Sequence, residues 1–236
     1  RLNATDVDGD VLSFGVQNGF DTALHGISSI ESVPSLISSI DTSGSAWGVT
    51  LSPDGNFAFV ADSYSGLQII DVSNPSNPSL TATFNTTGYS SDVALSTNGT
   101  IAFVADGESG LQIIDISNPV NPALMATLDT SGYSIDVTLS ADGKTAFIAD
   151  SSSGLQIIDV SKPAKPVVTS TFNTSGYAMD VTLSPDGNTV FIANYAGSSG
   201  FQIVDVSNLA SPRLIGSLDT SAGAVDLILS SDGKTA

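Results

Sequence analysis

Residues Ser35–Pro78 read SLISSIDTSGSAWGVTLSPDGNFAFVADSYSGLQIIDVSNPSNP, and the rest of the chain restates that line. Ser79–Pro122 and Ala123–Pro166 repeat it at a spacing of 44 residues. Val167–Pro212 repeats it with two extra residues near Tyr195–Ser199, and Arg213–Ala236 opens a fifth copy. A period of about 40–50 residues built from short apolar runs predicts a β-propeller with one blade per repeat. In the second copy the runs are Asp92–Leu95, Ile101–Ala105, Leu111–Asp115 and Leu124–Leu128, designated strands A to D. Strands A and B are joined by Ser96-Thr97-Asn98-Gly99 and its equivalents, such as Ser140-Ala141-Asp142-Gly143, where Asx-Gly supplies the positive φ of a tight hairpin. The B–C loop ends in Ser-Gly. The C–D link carries prolines, as at Asn74-Pro75-Ser76-Asn77-Pro78, which prevent further pairing. Both faces of such a blade are apolar, so it must stack on neighbours.

The expected fold is therefore all-β: a propeller of four-stranded antiparallel blades with 44-residue repeats, as a fragmentary ring. Residues 35–236 form the repeat domain, and residues 1–34 are expected to be the tail of a preceding module plus a linker or closing strand. The chain starts without Met and stops inside a repeat, which reads as a piece of a longer protein.

Composition narrows the partners. The chain has 236 residues, 41% of them hydrophobic, enough to build a sizeable core. Its 24 acidic and 6 basic residues give a net charge of −18, which repels nucleic acid and anionic lipid and favours cations. No cysteine is present, so thiol catalysis, disulfides and cysteine–metal sites are excluded. No apolar run approaches the roughly 20 residues of a membrane helix, so no membrane insertion is expected.

The string Gly-Leu-Gln-Ile-Ile-Asp-Val-Ser-Asn-Pro at Gly66–Pro75, preceded by Ala58–Asp62, resembles the LVIVD repeat family. The resemblance covers residues 35–236 and implies a propeller of secreted or cell-surface proteins, mainly bacterial and archaeal. It implies a binding or structural role and brings no established catalytic residues. Residues 4–14, ATDVDGDVLSF, resemble the end of a cadherin-like or Ig-like surface module, which implies calcium at Asp6, Asp8 and Asp10; the alternative is a solvated acidic turn.

Antiparallel strand order places the starts of A and the ends of B and D on one rim, here called the top. Asp92, Asp136, Asp180 and Asp226 start strand A. One reading makes them a calcium site at the channel mouth, because hard cations take clustered carboxylates. The other makes each a backbone cap inside its own blade, repeated because the blade repeats. Tyr89, Tyr133 and Tyr177 precede strand A, Trp47 lies beside the start of A in the first copy, and Tyr195 opens the lengthened loop. These five are candidate partner contacts for a protein or glycan, with packing as the alternative. The only histidine, His25, lies outside the repeats, so no Ser-His-Asp triad can be built within them. The sequence is accordingly expected to be a non-enzymatic extracellular scaffold, calcium-stabilised. The alternatives are a metal-dependent hydrolase or lyase at the channel mouth, and a structural spacer. Uniform repetition of the aspartates weighs against one specialised catalytic site.

Overall fold

The computed structural model describes residues 11–13, 36–196 and 200–236. Asp6, Asp8, Asp10 and the loop residues Gly197–Ser199 lie outside the described residues.

The four copies fold into four antiparallel sheets of consecutive strands. Blade 1 contains β3 (Gly48–Leu51), β4 (Phe57–Ala61), β5 (Leu67–Asp71) and β6 (Ser79–Phe84). Blade 2 contains β7 (Asp92–Leu95), β8 (Ile101–Ala105), β9 (Leu111–Asp115) and β10 (Ala123–Leu128). Blade 3 contains β11 (Asp136–Leu139), β12 (Thr145–Ala149), β13 (Leu155–Asp159) and β14 (Val167–Phe172). Blade 4 contains β15 (Tyr177–Leu183), β16 (Thr189–Tyr195), β17 (Phe201–Asp205) and β18 (Arg213–Leu218). A separate pair joins β1 (Val11–Ser13) to β2 (Ser39–Asp41), so a segment ahead of the repeats does pair with strand Ser39–Asp41. The sheets do not close into a full ring among the described residues.

Local chemistry sets the hairpins. Ser52 Oγ donates to Asp54 Oδ1 at 2.6 Å and accepts the Phe57 amide at 2.9 Å, while Gly55 takes φ +72°. The same Ser–Asp contact recurs at Ser140–Asp142, Ser184–Asp186 and Ser230–Asp232. Each outer strand carries a register shift, as at Leu124/Ala126, and is largely exposed, which bends the edge away from further pairing.

The core lies between blades rather than within them. Phe59, Ala61, Leu67 and Ile69 of blade 1 pack on Val93, Ala102, Val104 and Ile114 of blade 2. Blades 2 and 3 meet through Phe103, Leu111, Ile113, Val137 and Ile148, and blades 3 and 4 through Phe147, Leu155, Ile157, Val181 and Ile192. The alternation Phe59-in, Val60-out follows the two-residue period of a strand and gives each sheet two apolar faces. The A strands touch in succession, β3 on β7, β7 on β11 and β11 on β15, and so line the inner wall of the fan.

Candidate functional site

Three chemically distinct sets of aspartates arise from the one repeat. The hairpin and strand-C acids, Asp54, Asp71, Asp115, Asp142, Asp159, Asp186, Asp205 and Asp232, sit in the A–B turns or at the ends of the C strands on the bottom face and accept local Ser hydroxyl and backbone N–H groups. Those bonds favour the charged form. Ser73 lowers Asp71, and Ser207, with help from Arg213, holds Asp205 at about 2.

The acids ending strand B are fully buried: Asp62, Asp106 and Asp150 each have 0% exposure. They clamp the segment that leads into strand A of their own blade. Thr42 Oγ1 donates to Asp62 Oδ1 at 2.8 Å, and the Gly44 amide donates to Oδ2 at 3.0 Å. Ser90 Oγ and the Gly88 amide do the same for Asp106, both at 2.8 Å. Thr130 and Ser134 hydroxyls converge on Asp150 Oδ1 at 2.7 and 2.9 Å. A Cβ at Gly88 would lie 2.1 Å from the Asp106 carbonyl oxygen, which explains the glycine at this index. Burial raises Asp106 and pushes Asp150 up to about 6, against the opposing pull of the hydroxyls.

The strand-A acids form the third set. Asp92 Oδ2 accepts the Val137 amide at 3.2 Å, Asp136 Oδ2 the Val181 amide at 2.8 Å, and Asp180 Oδ2 the Leu227 amide at 2.6 Å. Each therefore caps the following blade, 45 to 47 residues on, a reach across blades that the expectation of capping within one blade did not include. Asp136 lies beside both neighbouring carboxyls, Asp92 and Asp180, and Asp180 lies beside Asp226 as well. Carboxyls this close disfavour one another's charge, so the row titrates as a set and not one residue at a time. Burial raises Asp92. Burial, with the charges of Asp92 and Asp180, raises Asp136 well above the usual carboxylate range, and burial pushes Asp180 to about 6. Blade 1 ends the row with Gly48, where a Cβ would come 2.4 Å from Asp92 Oδ1.

This arrangement fits a cation poorly. One oxygen of each of Asp92, Asp136 and Asp180 accepts a backbone amide of the next blade. Among the described residues, no three acidic, histidine or cysteine side chains form a group able to hold a metal ion. A calcium cage needs six to eight oxygens converging on one point.

The aromatic candidates divide in two. Trp47, Tyr89 and Tyr133 form a ridge across three blades, with ring centroids 6.1 Å apart for Trp47–Tyr89 and 6.4 Å for Tyr89–Tyr133. Tyr64, in the B–C loop of blade 1, completes it edge-to-face on Tyr89 at 5.0 Å. Sequence reasoning missed Tyr64, although it is the aromatic intruder at a loop index held by Glu108 and Ser152 in the next two blades. Tyr177 and Tyr195 instead face each other as a cross-strand pair in blade 4.

Blade 4 departs from the clamp. Asn194 stands where the other blades have the strand-B aspartate, and Ala178 where blades 2 and 3 have the serine that bonds to it. Asn194 Nδ2 donates to Gln202 Oε1 at 3.2 Å, and its Oδ1 is buried without a partner. The Ala224 amide bonds to the Asn194 carbonyl, whereas the equivalent Ser90 and Ser134 amides bond one residue later, to Ser63 and Gly107. The two-residue insertion thus shifts the bridge by one position. A cavity of about 350 Å³ opens here, lined by Asn194, Ala196, Asp219 and Ser221.

With this geometry in hand, the family is clear: LVIVD repeats match residues 43–86, 87–130, 131–174 and 175–220. The chain belongs to the LVIVD repeat family. This match begins at Ser43, and nothing in the comparisons identifies a cadherin-like or Ig-like module ahead of it. A search of curated proteins finds no match. Among solved structures, the periplasmic gluconolactonase PpgL of Pseudomonas aeruginosa aligns at 16% identity and TM-score 0.73, over 83% of this chain and 64% of that one. A proposed 6-phosphogluconolactonase of Bacteroides fragilis aligns at 14% identity and TM-score 0.75, over 97% of this chain and 73% of that one. The Cps50 (Swd1) β-propeller domain of Myceliophteria thermophila aligns at 12% identity and TM-score 0.64, over 79% and 64%. The chain thus spans 64% of the length of the Pseudomonas and Myceliophteria structures. This LVIVD domain is built as a propeller, and propellers of this fold include lactonases.

That overturns the expectation of a non-enzymatic chain. Uniform aspartates do not weigh against a specialised site, because identical residues do not meet identical surroundings. Asp136 lies between two carboxyls, while Asp92 has Gly48 on its other side. No helix among the described residues is long and apolar enough to cross a membrane.

Proposed function

We propose that this LVIVD domain belongs to a hydrolase that opens a neutral lactone or similar cyclic ester at the inner wall of β7, β11 and β15. The observation carrying this reading is Asp136, placed between Asp92 and Asp180 where the A strands of successive blades meet, with burial and its neighbours' charges raising its proton affinity. General acid–base catalysis needs a donor and an acceptor whose proton affinities lie near working pH, and Asp180 at about 6 meets that need. In this mechanism the charged member of the Asp136–Asp180 pair takes a proton from water as the water oxygen adds to the acyl carbon. The protonated member gives its proton to the departing ring oxygen. One proton enters the row and one leaves it, and the product is the open hydroxy acid.

The electrostatics favour an uncharged substrate. Lys144, Lys162, Lys165, Arg213 and Lys234 all lie in A–B hairpins, C–D links or the start of a D strand, at the bottom end. The top end carries acids only among the described residues, so a phosphate group there would meet no cation. The acidic product would be repelled from the same rim. The periplasmic setting of the Pseudomonas relative and the cysteine-free acidic chain support action outside the cytoplasm.

The test is acid release from glucono-1,5-lactone in weakly buffered solution. Asp136→Asn and Asp180→Asn are expected to lower kcat by about 100-fold or more, with circular dichroism unchanged. Activity should fall as pH rises through about 6, where Asp180 loses its proton. Wild-type protein no faster than the uncatalysed reaction on a panel of neutral lactones would refute the reading.

A further inference from the structure

The aromatic ridge on the top face is unlike the rest of the surface. Trp47 is 65% exposed and Tyr64 80% exposed, with Tyr89 and Tyr133 half-buried between them. The rings do not stack into a flat platform. Tyr64 stands at 89° to Tyr89, Trp47 at 61°, and Tyr133 at 45°. Tyr133 lies against Gly107, where a Cβ would come within 2.9 Å of the ring, so the glycine lets this tyrosine lie close to its loop. Glu108 takes in blade 2 the loop index that Tyr64 takes in blade 1, and its negative charge acts on the Tyr133 phenol, as does that of Asp106.

Two features of this surface select the same ligand. The faces of aromatic rings carry negative charge density and attract cations. The surrounding rim is acidic and, among the described residues, holds no basic side chain, all five of those being at the bottom. Rings at steep mutual angles give walls for a compact or planar cation rather than a continuous floor for a sugar. We infer that the Trp47–Tyr64–Tyr89–Tyr133 ridge is a docking surface for a polypeptide segment bearing arginine or lysine side chains. A guanidinium over Tyr89 would lie between Trp47 and Tyr64, and one over Tyr133 would reach the Glu108 carboxylate. This surface is independent of the Asp136 row and does not need that row to be catalytic.

Trp47 is the only tryptophan in the chain, so its emission reads the ridge directly. The experiment titrates the intact protein with an octa-arginine peptide, an octa-glutamate peptide and cellohexaose. Octa-arginine is expected to give a saturable change in Trp47 emission that weakens with added salt, and the other two no change. Tyr64→Ala, at a position exposed enough to leave folding intact, should weaken binding about 3-fold, and Tyr64→Ala with Tyr89→Ala about 10-fold. Glu108→Gln should weaken it about 2-fold. Octa-arginine binding equally well to all variants would mean general attraction to an acidic protein and would overturn the inference. A response to cellohexaose alone would make the ridge a glycan surface and overturn it as well. Tyr64→Ala with an unchanged melting curve keeps either result separate from misfolding.

Discussion

Asp136→Asn is the sharpest probe of the carboxyl row, because the asparagine keeps the shape and removes one charge. Its remaining oxygen can still accept the Val181 amide, which now bonds at 2.8 Å. Its new N–H groups can donate to the carboxylates of Asp92 and Asp180, which in the wild type can bond to Asp136 only through a proton. The scale comes from Asp180, raised from 3.8 to about 6. A rise of about two pH units corresponds to ~3 kcal/mol, and partial exposure of the row reduces the usable share to ~2 kcal/mol. The sign follows from linkage. A carboxyl whose affinity for protons is raised by folding contributes most below its unfolded value of 3.8, and that contribution is lost as pH climbs through about 6. Asp106 and Asp150 act in the same direction. The turn acids act oppositely: Asp54, Asp71 and Asp205 are lowered, so what they contribute is present above the unfolded value and lost as pH falls through the lowered one.

Wild-type stability should therefore peak on the acid side of neutrality, at roughly pH 4–5, and decline towards pH 7. At about pH 7 Asp136→Asn should be the more stable protein by ~2 kcal/mol, or about 4–8 °C in melting temperature for a chain of this size. At about pH 4 the two should nearly coincide. Urea unfolding and calorimetry across that range measure both terms. A wild-type curve flat between those limits, or an Asp136→Asn protein equally destabilised at both, would mean that the row does not hold protons in the native state.

Two more outcomes follow from the same geometry. Calcium at millimolar concentration should shift the melting temperature of wild type and Asp136→Asn equally, because an oxygen of each of Asp92, Asp136 and Asp180 already accepts an amide; a shift confined to wild type would support the calcium reading of Asp92, Asp136, Asp180 and Asp226. In blade 4, Asn194→Asp should cost ~1–2 kcal/mol by burying a carboxylate with fewer hydroxyl donors than Asp150 has, and Ala178→Ser should recover part of that by rebuilding the bond seen at Ser90–Asp106. A double-mutant cycle with no coupling would show that the clamp does not depend on this pair.

The blades were legible in the sequence because their determinants are local. Asx-Gly at the hairpin, Ser-Gly at the B–C loop and proline in the C–D link fix where strands stop, so the fourth run expected at Leu124–Leu128 is found at Ala123–Leu128. The sorting of acids onto two rims also followed from strand direction alone. The chemistry of the acids was not legible, because it is set by groups a whole repeat away. Asp62, Asp106 and Asp150 find partners in their own blade, whereas Asp92, Asp136 and Asp180, expected to cap their own blade or hold calcium, accept amides from the next. One aspartate per blade at a fixed index looks like ornament in the sequence. Stacking converts it into a row in which each carboxyl meets the next, and only there do burial and neighbouring charge raise its proton affinity.

The same distinction explains the aromatic ridge and points to where specificity arises in a repeat protein. Trp47, Tyr89 and Tyr133 occupy lead-in positions that recur, so their candidacy was visible. Tyr64 belongs to a different loop, and its partner Tyr89 comes from the next copy. A regular repeat supplies the frame, and contacts between unlike positions of successive copies supply the site. Departures from the repeat at such contacts carry more information than the repeat itself: Gly48 ends the carboxyl row, Glu108 stands in for Tyr64, and Asn194 lines a cavity shared with Asp219 and Ser221 of the next copy. In each case a substitution that is minor within one copy changes a contact between neighbours. A propeller can thus keep its interblade core constant and still differentiate the rim on which a ligand would land.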